Sequence, residues 1–275
     1  MSFSYKHFAK LDSTNAYLQQ KQSETDIRSW VVSADEQTAG KGMGNNSWES
    51  EAGKNLTFSL ALDMSFLPAE RQFLLSEAVA LGLLEILDAE LAKGMSYQDL
   101  SSMSYRPTLG GSVFMDGKPC VSMPSKLQIK WPNDIYFDNR KMGGILINST
   151  IKAGKMDVSI IGIGLNVNQM QFQDWPTHPI SMKMVTGKNY DLQPLLVQIV
   201  ECLIIKVEQL KAVPETIEQE YLKRLFRYQT WSEYEADGKV KRLFMTGIDC
   251  FGRLQLIDEQ KTLHTFDIKE IKFVL

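Results

Sequence analysis

Polar and charged side chains are concentrated in the segment KWPNDIYFDNRKMGGIL, which covers residues 130–146. Pro132 cannot donate to a strand ladder, so Asn133 and Asp134 are expected to leave the sheet and face a cleft. Lys141 follows a tight turn and is expected to return beside them, where its ammonium can bind an anionic substrate. A carboxylate nearby can hold a metal ion or orient an amine. A solvated hairpin tip, where these residue types are common, is the alternative.

The segment AGKGMGNNSWES, residues 39–50, is a second candidate site because it is rich in glycine. Such a loop can close backbone N–H groups around a phosphate or a carboxylate. It can also be an ordinary polar turn between two strands. The strand-like segments WVVSAD and NLTFSLAL flank it, whereas Walker and Rossmann loops lead from a strand into a helix. This order of elements argues against both nucleotide-binding folds.

Two shorter segments carry further candidates. Glycine inside the strand-like run IIGIGLNVN, residues 160–168, indicates close approach of another backbone or a ligand, with sheet packing alone as the alternative. Asn166 and Asn168 at the end of this run are the better ligand candidates. The segment DST, residues 12–14, can cap the helix that follows, and its hydroxyls can equally reach a ligand.

The elements that must position these residues follow from hydrophobic periodicity and from turn residues. Strands are predicted at residues 30–35 and 55–62, and an interrupted strand at 126–137. The segments KMGGILINSTI and MDVSIIGIGLNVN predict two more strands. A helix is predicted to begin at Pro68 and end at Gly94, and two further helices at 192–211 and 214–226.

The C-terminal part of the chain has a different character. From Lys239 onward, short β segments separated by turns are typical of a small barrel, which predicts a domain boundary near residue 230. Residues 94–125 are rich in Ser, Met, Gly and Pro and have no sustained period. They are interpreted as a surface excursion.

Composition limits the classes of partner. The 275 residues include 44% hydrophobic residues and carry a formal net charge of −3, which is typical of a globular chain and gives no electrostatic footprint for nucleic acid or a membrane surface. Three scattered cysteines suggest neither a disulfide framework nor a zinc cluster, and they fit a reducing compartment. Without a signal peptide or a membrane-length apolar run, a soluble, cytoplasmic protein is expected.

The order of the segments is more specific than any one of them. DSTNAYL, ADEQTAGKGMGNNSW, KWPNDIYFDNRKMGGIL and IIGIGLNVN occur in the order and rough spacing seen in biotin protein ligases, and GIDCFGRLQL is similar to that family's C-terminal barrel. The resemblance implies an α+β fold. A mixed β-sheet flanked by helices, as in class II aminoacyl-tRNA synthetases and biotin/lipoate ligases, is expected at residues 1–230. A small SH3-like β-barrel is expected at 231–275, whereas the excursion at 94–125 has no counterpart.

The resemblance also implies an activity. Biotin and MgATP would give biotinyl-5′-AMP, and a lysine of a biotin carboxyl carrier domain of an acyl-CoA carboxylase would then attack the mixed anhydride. Adenylation needs positive charge over the carboxylate and the α-phosphate, and the anhydride must be shielded from water. Help in deprotonating the incoming lysine is a third requirement.

Site residues are carried over from the same motifs. Lys141 matches the lysine that contacts the biotin carboxylate and phosphate, Asp134 would orient the acceptor amine or the Mg²⁺ ion, and Lys130 completes the catalytic set. Biotin binding is implied for Ser13, Thr14, Asn15, Gln37, Gly40, Lys41, Gly42, Met43 and Lys141. ATP binding is implied for Lys41, Trp48, Asn133, Asn166 and Lys272.

The glycine loop departs from the family pattern. That pattern is GRGRxGRxW, whereas this chain has GKGMGNNSW, so Met43 and Asn46 stand where arginines are usual. A methionine cannot supply a charge-assisted hydrogen bond. The hypothesis is that the adenylate is held less tightly here and depends more on Lys141.

Several expectations concern partners. Because the catalytic pattern starts within the first fifteen residues, no room is left for the helix-turn-helix domain of larger members, and no DNA binding is expected. Family members often pair through sheet edges, which makes a homodimer plausible. The rival readings are a lipoate or octanoate protein ligase, against which KWPNDI, the GKG loop and the barrel argue, and a non-catalytic biotin or adenylate sensor.

Overall fold

The structure, a computed structural model, describes residues 3–44, 46–94, 114–115, 118–119, 126–173 and 178–275. Its helices are α1 (Thr14–Gln22), α2 (Phe73–Gly94), α3 (Met182–Thr186), α4 (Leu192–Ala212) and α5 (Pro214–Arg224), with a 3₁₀ turn at Ala69–Arg71. Its first nine strands are β1 (Ser4–Leu11), β2 (Trp30–Gln37), β3 (Leu56–Asp63), β4 (Phe114–Met115), β5 (Lys118–Pro119), β6 (Leu127–Lys130), β7 (Asp134–Phe137), β8 (Arg140–Lys152) and β9 (Lys155–Leu165). The last five are β10 (Trp231–Ala236), β11 (Lys239–Ile248), β12 (Leu254–Ile257), β13 (Leu263–Phe266) and β14 (Ile271–Phe273).

Seven strands form one sheet, called the large sheet, in the order β1-β2-β3-β9-β8-β7-β6. The β1–β2 pair is parallel, and the other neighbours are antiparallel. The sheet is therefore mixed, and it carries helices on both faces. The α+β fold expected from the sequence is confirmed.

The alternation of side chains along the central strands separates the two faces of the large sheet. Val31 and Leu60 join the main core that contains α2, whereas their neighbours Val32 and Ala61 join a smaller cluster with Leu18 of α1. This is the period of two that a strand covered on both faces requires. On the main-core face, α2 packs against α4 and α5. The opposite face, called the α1 face, carries the candidate site.

Most predicted elements are confirmed, with shifts at their ends. The strands predicted at 30–35 and 55–62 are β2 and β3, and the helices predicted at 192–211 and 214–226 are α4 and α5. The first long helix differs at its start, because the chain makes a 3₁₀ turn after Pro68 and the α-helix begins at Phe73. Outside the 94–125 excursion, two elements were not predicted. β1 is an edge strand with no fully buried residue, and α3 has only five residues, so neither gives a clear hydrophobic period.

The predicted interruption at Pro132 is confirmed. The strands β6 and β7 are separate, and the Trp131–Pro132 peptide bond between them is cis. Asn133 lies in the turn, as expected. The expectation that Asp134 leaves the ladder is wrong: it is the first residue of β7 and pairs with Lys130 and with Gly144 of β8. Because Asp134 belongs to β7, the strand sets the direction of its side chain.

The C-terminal strands form a five-stranded antiparallel sheet, called the small sheet, in the order β13-β12-β11-β10-β14. The predicted C-terminal antiparallel β domain is observed, but it is an open sheet and not a closed barrel, since residues 231–275 are all described and β13 does not pair with β14. The small sheet shares one core with the rest of the chain. The indole N–H of Trp131 donates to the carbonyl oxygen of Gly252 at 2.8 Å, which ties the β6–β7 turn to the β11–β12 turn.

The excursion predicted at 94–125 falls largely outside the described residues, which include only the short pair β4–β5. The division at residue 230 stays a prediction. Within the described ranges, none of the helices combines the length and the apolar character needed to span a bilayer.

Candidate active site

A cavity of 650 Å³ is lined by residues of both sheets, a volume that suits a ligand of drug size. It brings together thirteen of the fifteen residues to which the family resemblance assigns a catalytic or binding role. These are Ser13, Thr14, Asn15, Gln37, Lys41, Gly42, Met43, Trp48, Lys130, Asn133, Asp134, Lys141 and Lys272. Gly40 and Asn166 do not line it.

One end of the cavity is polar and uncharged. Ser13 caps α1, as the sequence predicted, because its hydroxyl accepts a hydrogen bond from the N–H of Ala16. The next residue, Thr14, donates its N–H to Oε1 of Gln37 at 2.8 Å, and its hydroxyl lies 2.7 Å from Oγ of Ser59. Ser13, Thr14 and Ser59 are all buried. Sequence reasoning missed Ser59, although a polar side chain in the apolar run NLTFSLAL was a usable signal.

The glycines of β9 make room for two side chains. A Cβ atom on Gly162 would lie 2.6 Å from Oδ1 of Asn15, and one on Gly164 would lie 2.3 Å from the indole of Trp48. Both distances are too short for any larger residue. The predicted close approach is confirmed, but side chains approach here, not the backbone or ligand that the sequence suggested. Asn15 also accepts from Ser59 at 2.6 Å, so the protein itself satisfies it.

Trp48 presents a hydrogen-bond donor without an acceptor. Its indole N–H is buried and has no partner among the described residues. Leaving such a donor unpaired costs about 1–3 kcal/mol, so an acceptor on a ligand would be favoured there. Nζ of Lys141 lies 5.9 Å from the centroid of the Trp48 ring. The face of the indole therefore borders the charged part of the cavity.

The charged part is centred on one ion pair. Nζ of Lys141 lies 2.7 Å from Oδ1 of Asp134, and both side chains are largely buried. Nζ of Lys130 donates to the hydroxyl of Tyr136 at 3.4 Å and lies 5.4 Å from the ring centroid of Phe273 in the small sheet. Burial lowers the pKa of Lys130, and the nearby Asp134 carboxylate opposes that shift. The Asp134 carboxylate is thus paired with Lys141 and acts on Lys130 at longer range.

The turn between β6 and β7 is held by three hydrogen bonds. The side-chain amide of Asn133 donates to the carbonyl oxygen of Ile145, whose N–H donates back to the carbonyl of Asn133 at 3.0 Å. From behind, the hydroxyl of the fully buried Tyr221 in α5 donates to the carbonyl oxygen of Pro132 at 3.3 Å. The Asn133 amide is consequently held at the cavity wall.

The glycine loop folds back on itself beside the cavity. Lys41 and Ser47 form an isolated antiparallel bridge, and the N–H of Gly42 donates to the carbonyl of Asn46 at 2.8 Å. Gly40 accepts from the N–H of Trp48 at 3.0 Å, and a Cβ on Gly40 would lie 2.4 Å from the Trp48 carbonyl oxygen. Gly40 therefore positions Trp48 without lining the cavity.

The small sheet contributes more to the cavity than the sequence predicted. Only Lys272 was anticipated, and its Nζ lies 3.6 Å from Glu235 with a side chain that is 72% exposed. The residues missed there are Ile268, Lys269, Ile271, Phe273 and Leu275. No residue-type signal distinguishes them, because only the docking of the two sheets brings them to the site.

Asn166 lies behind the site. It is buried, and its side-chain amide donates to the carbonyl oxygen of Lys141 at 3.4 Å. Its backbone N–H also donates to the carbonyl of Met142 at 2.8 Å. In this position Asn166 supports the strand that carries Lys141.

The cavity is strongly positive within a chain of net charge −3. Among the described residues that line it, Asp134 is the single acidic side chain, against five lysines: Lys41, Lys130, Lys141, Lys269 and Lys272. The described residues contain no group of three or more His, Cys, Asp or Glu side chains that could hold a metal ion. The arrangement suits a ligand with an uncharged polar head, placed near Thr14, and an anionic tail near the lysines.

Comparison with known proteins gives consistent matches. The profile of the biotin/lipoate A/B protein ligase family matches residues 7–166. Biotin–protein ligase 2 of Arabidopsis thaliana is 32% identical over 162 residues, which are 58% of this chain and 40% of that protein. The bifunctional ligase/repressor BirA of Escherichia coli (strain K12) is 26% identical over 258 residues, covering 92% of this chain and 66% of that protein. The chain thus spans less than two thirds of the length of either relative.

Solved structures show the same fold. Biotin protein ligase from Aquifex aeolicus, in complex with biotin and ATP, superposes with a TM-score of 0.67 at 20% sequence identity. The match covers 98% of this chain and 99% of that one. At this identity the similarity establishes the architecture, including the presence of a second, C-terminal sheet.

Proposed function

The chain belongs to the biotin/lipoate A/B protein ligase family, and from that premise we propose that it attaches biotin to a lysine of an acceptor protein through biotinyl-5′-AMP. The observation that carries the proposal is the polarity of the cavity. An uncharged hydrogen-bonding end and a lysine-rich end lie in one cavity of 650 Å³. Biotin has the same two parts, a ureido head and a carboxylate tail, and the adenylate extends the anionic part.

Residues of α1 and β2 would recognise the head. Ser13, Thr14 and Gln37 would bond the ureido group, and Ser59 would join them. The Asn15 side chain is satisfied by Ser59 and by the carbonyl oxygen of Leu146, so it would hold this wall in place and not bind biotin directly. The strict need for glycine at position 162 supports that positioning role.

Lys141 would act at the reacting atoms. In the first step a biotin carboxylate oxygen bonds to the α-phosphorus of ATP and pyrophosphate leaves. Lys141 would stabilise the negative charge that gathers on the phosphorus oxygens. Asp134, 2.7 Å away, orients the ammonium before any ligand is bound. In the second step the acceptor amine attacks the acyl carbon, AMP leaves, and Asp134 would orient that amine while its proton is lost.

ATP would occupy the side of the cavity formed by Trp48, Asn133 and the glycine loop. The unpaired indole N–H of Trp48 fits an acceptor on the nucleotide. Mg²⁺ fits only as a companion of the phosphates, because one carboxylate, Asp134, is the whole acidic set of the described lining. Magnesium commonly binds in this way, through one or two carboxylates and substrate phosphates.

The acceptor we propose is a biotin carboxyl carrier domain. β1 is one edge strand of the large sheet, and a homodimer through a sheet edge stays a prediction. A cytoplasmic location likewise stays a prediction from the sequence.

The test uses the purified protein with MgATP, an apo carrier domain, and biotin, lipoate or octanoate in separate reactions. The mass of the carrier is measured, and a carrier whose target lysine is replaced by arginine is the control. We expect the biotinyl mass increment on the native carrier alone. Lipoyl or octanoyl attachment would replace the proposal with a lipoate-type ligase, and tight biotin binding without attachment would replace it with a sensor.

A further inference from the structure

Lys269 of the small sheet reaches the glycine loop of the large sheet. It lies in the turn between β13 and β14, where its backbone has a left-handed φ of +78°, and it lines the cavity. A Cβ atom on Gly44 would lie 3.2 Å from Cε and 3.3 Å from Nζ of Lys269. The missing side chain at Gly44 leaves the space that the lysine tip uses. Lys269 therefore sits against the loop that carries Lys41.

Lys41 and Lys269 differ from the other cavity lysines in their partners. Lys141 is paired with Asp134, and Lys272 lies near Glu235. Lys130 is half-buried and lies within the electrostatic influence of the same Asp134. Within the described part of the chain, by contrast, neither Lys41 nor Lys269 forms an ion pair. Two uncompensated ammonium groups that line the same cavity favour the binding of an anion there.

We infer that Lys41 and Lys269 form a two-lysine clamp that binds the pyrophosphate part of a nucleoside triphosphate and fastens the glycine loop to the small sheet. The inference rests on the proposed function, since that reaction supplies the triphosphate and releases pyrophosphate. Lys269 is in this view a binding residue contributed by the C-terminal sheet. The clamp is separate from the Lys141–Asp134 pair, which faces the reacting carboxylate.

The clamp makes a selective prediction for three ligands. Sodium pyrophosphate, AMP and biotin are titrated calorimetrically into the whole protein and into Lys269→Gln, Lys269→Arg and Lys261→Gln. Lys261 is the matched control: it lies in a turn of the same sheet, has a left-handed φ of +64°, is exposed and does not line the cavity. For Lys269→Gln we expect pyrophosphate to bind about 10-fold more weakly, the size of one lost charged contact.

AMP and biotin should bind Lys269→Gln as they bind the parent, because neither carries the β- and γ-phosphates. Lys269→Arg should restore pyrophosphate binding, and the deficit of Lys269→Gln should shrink in high salt. Equal pyrophosphate affinity in Lys269→Gln and Lys261→Gln would overturn the clamp, as would an equal loss of AMP binding. If the parent protein attaches no biotin to the carrier, the proposed function fails on that result, whatever the titrations give.

Discussion

The two ends of the cavity differ in whether their polar groups are already paired within the protein. At the head end, Thr14 and Ser59 are buried and bonded to each other before any ligand arrives. At the loop end, Lys41 and Lys269 are exposed, and no acid of the described chain neutralises them. A preformed polar wall loses little entropy on binding, whereas two lysines without an ion-pair partner gain one only when an anion binds. The comparison suggests that the head is recognised by a rigid surface and the phosphates by a surface that the ligand completes.

The Lys141–Asp134 pair lies between these two ends, and its removal is expected to have the largest effect. Lys141→Ala removes the cation nearest the reacting carboxylate and leaves Asp134 unpaired. We expect biotin-dependent ATP–pyrophosphate exchange to fall by about 10³-fold, as for loss of one preorganised charge in other sites. The exposed Lys155→Ala serves as the control. An exchange rate within 10-fold of the parent, a margin of about 1.4 kcal/mol, would move the reacting atoms away from this pair.

A buried acid lies in the main core close to Tyr221, which supports the turn between β6 and β7. Glu77 of α2 is buried, one of its carboxyl oxygens has no partner among the described residues, and burial, with Glu218 nearby, raises its pKa from 4.5 to about 8. The same carboxyl adds to the raised pKa of Tyr221, whose hydroxyl supports the Pro132 turn. The folded protein therefore keeps a proton on Glu77 that the unfolded chain releases above pH 4.5.

Stability should consequently fall as the pH rises from about 4.5 to 8, the window between the two pKa values. Glu77→Gln removes the titration, so its free energy of unfolding should exceed that of the parent by about 5 kcal/mol at pH 9, which is about 1.4 kcal/mol for each unit between the two pKa values, and should match it near pH 4. Urea unfolding at both pH values measures the difference. A gap that is the same at pH 4 and pH 9 would show that Glu77 is not held protonated.

Substitution of Gly162 or Gly164 in β9 allows the biotin-binding and the ATP-binding parts of the cavity to be perturbed separately. Gly162→Ala should displace Asn15 and weaken biotin binding, whereas Gly164→Ala should displace Trp48 and weaken ATP binding, each by about 30-fold, since overpacking of this kind costs 1–3 kcal/mol. Separate titrations with biotin and with ATP in the absence of the other ligand give both values. If each variant weakens both ligands equally, the two ends are one unit and the comparison fails.

The two ends also differ in how far the sequence predicted them. The motifs DST, KWPND and GIGLNVN lie where regular elements begin or end, at α1, at β6 and β7, and at β9. The Ser13 cap and the interruption at Pro132 were predictable from local pattern, whereas the fold followed from the family resemblance. Asp134 was misjudged because the influence of Pro132 was assumed to extend one residue too far. Lys269 could not be predicted at all, since an exposed lysine in a turn acquires a role only through the docking of the small sheet against the glycine loop.

The smallest effect is expected at Met43, which lines the loop end of the cavity where the family pattern has an arginine. If the loop end is completed by the ligand, adding a cation there should retain the adenylate longer. Met43→Arg is expected to slow dissociation of biotinyl-5′-AMP by about 10-fold, the worth of one charge-assisted contact. Stopped-flow chase with excess biotin measures the rate, and an unchanged rate would reject the hypothesis of a weakened loop. The double variant Met43→Arg/Lys269→Gln tests whether the two residues act independently on the adenylate. If Lys269 binds only the departing pyrophosphate, biotinyl-5′-AMP should dissociate from the double variant at the same rate as from Met43→Arg alone.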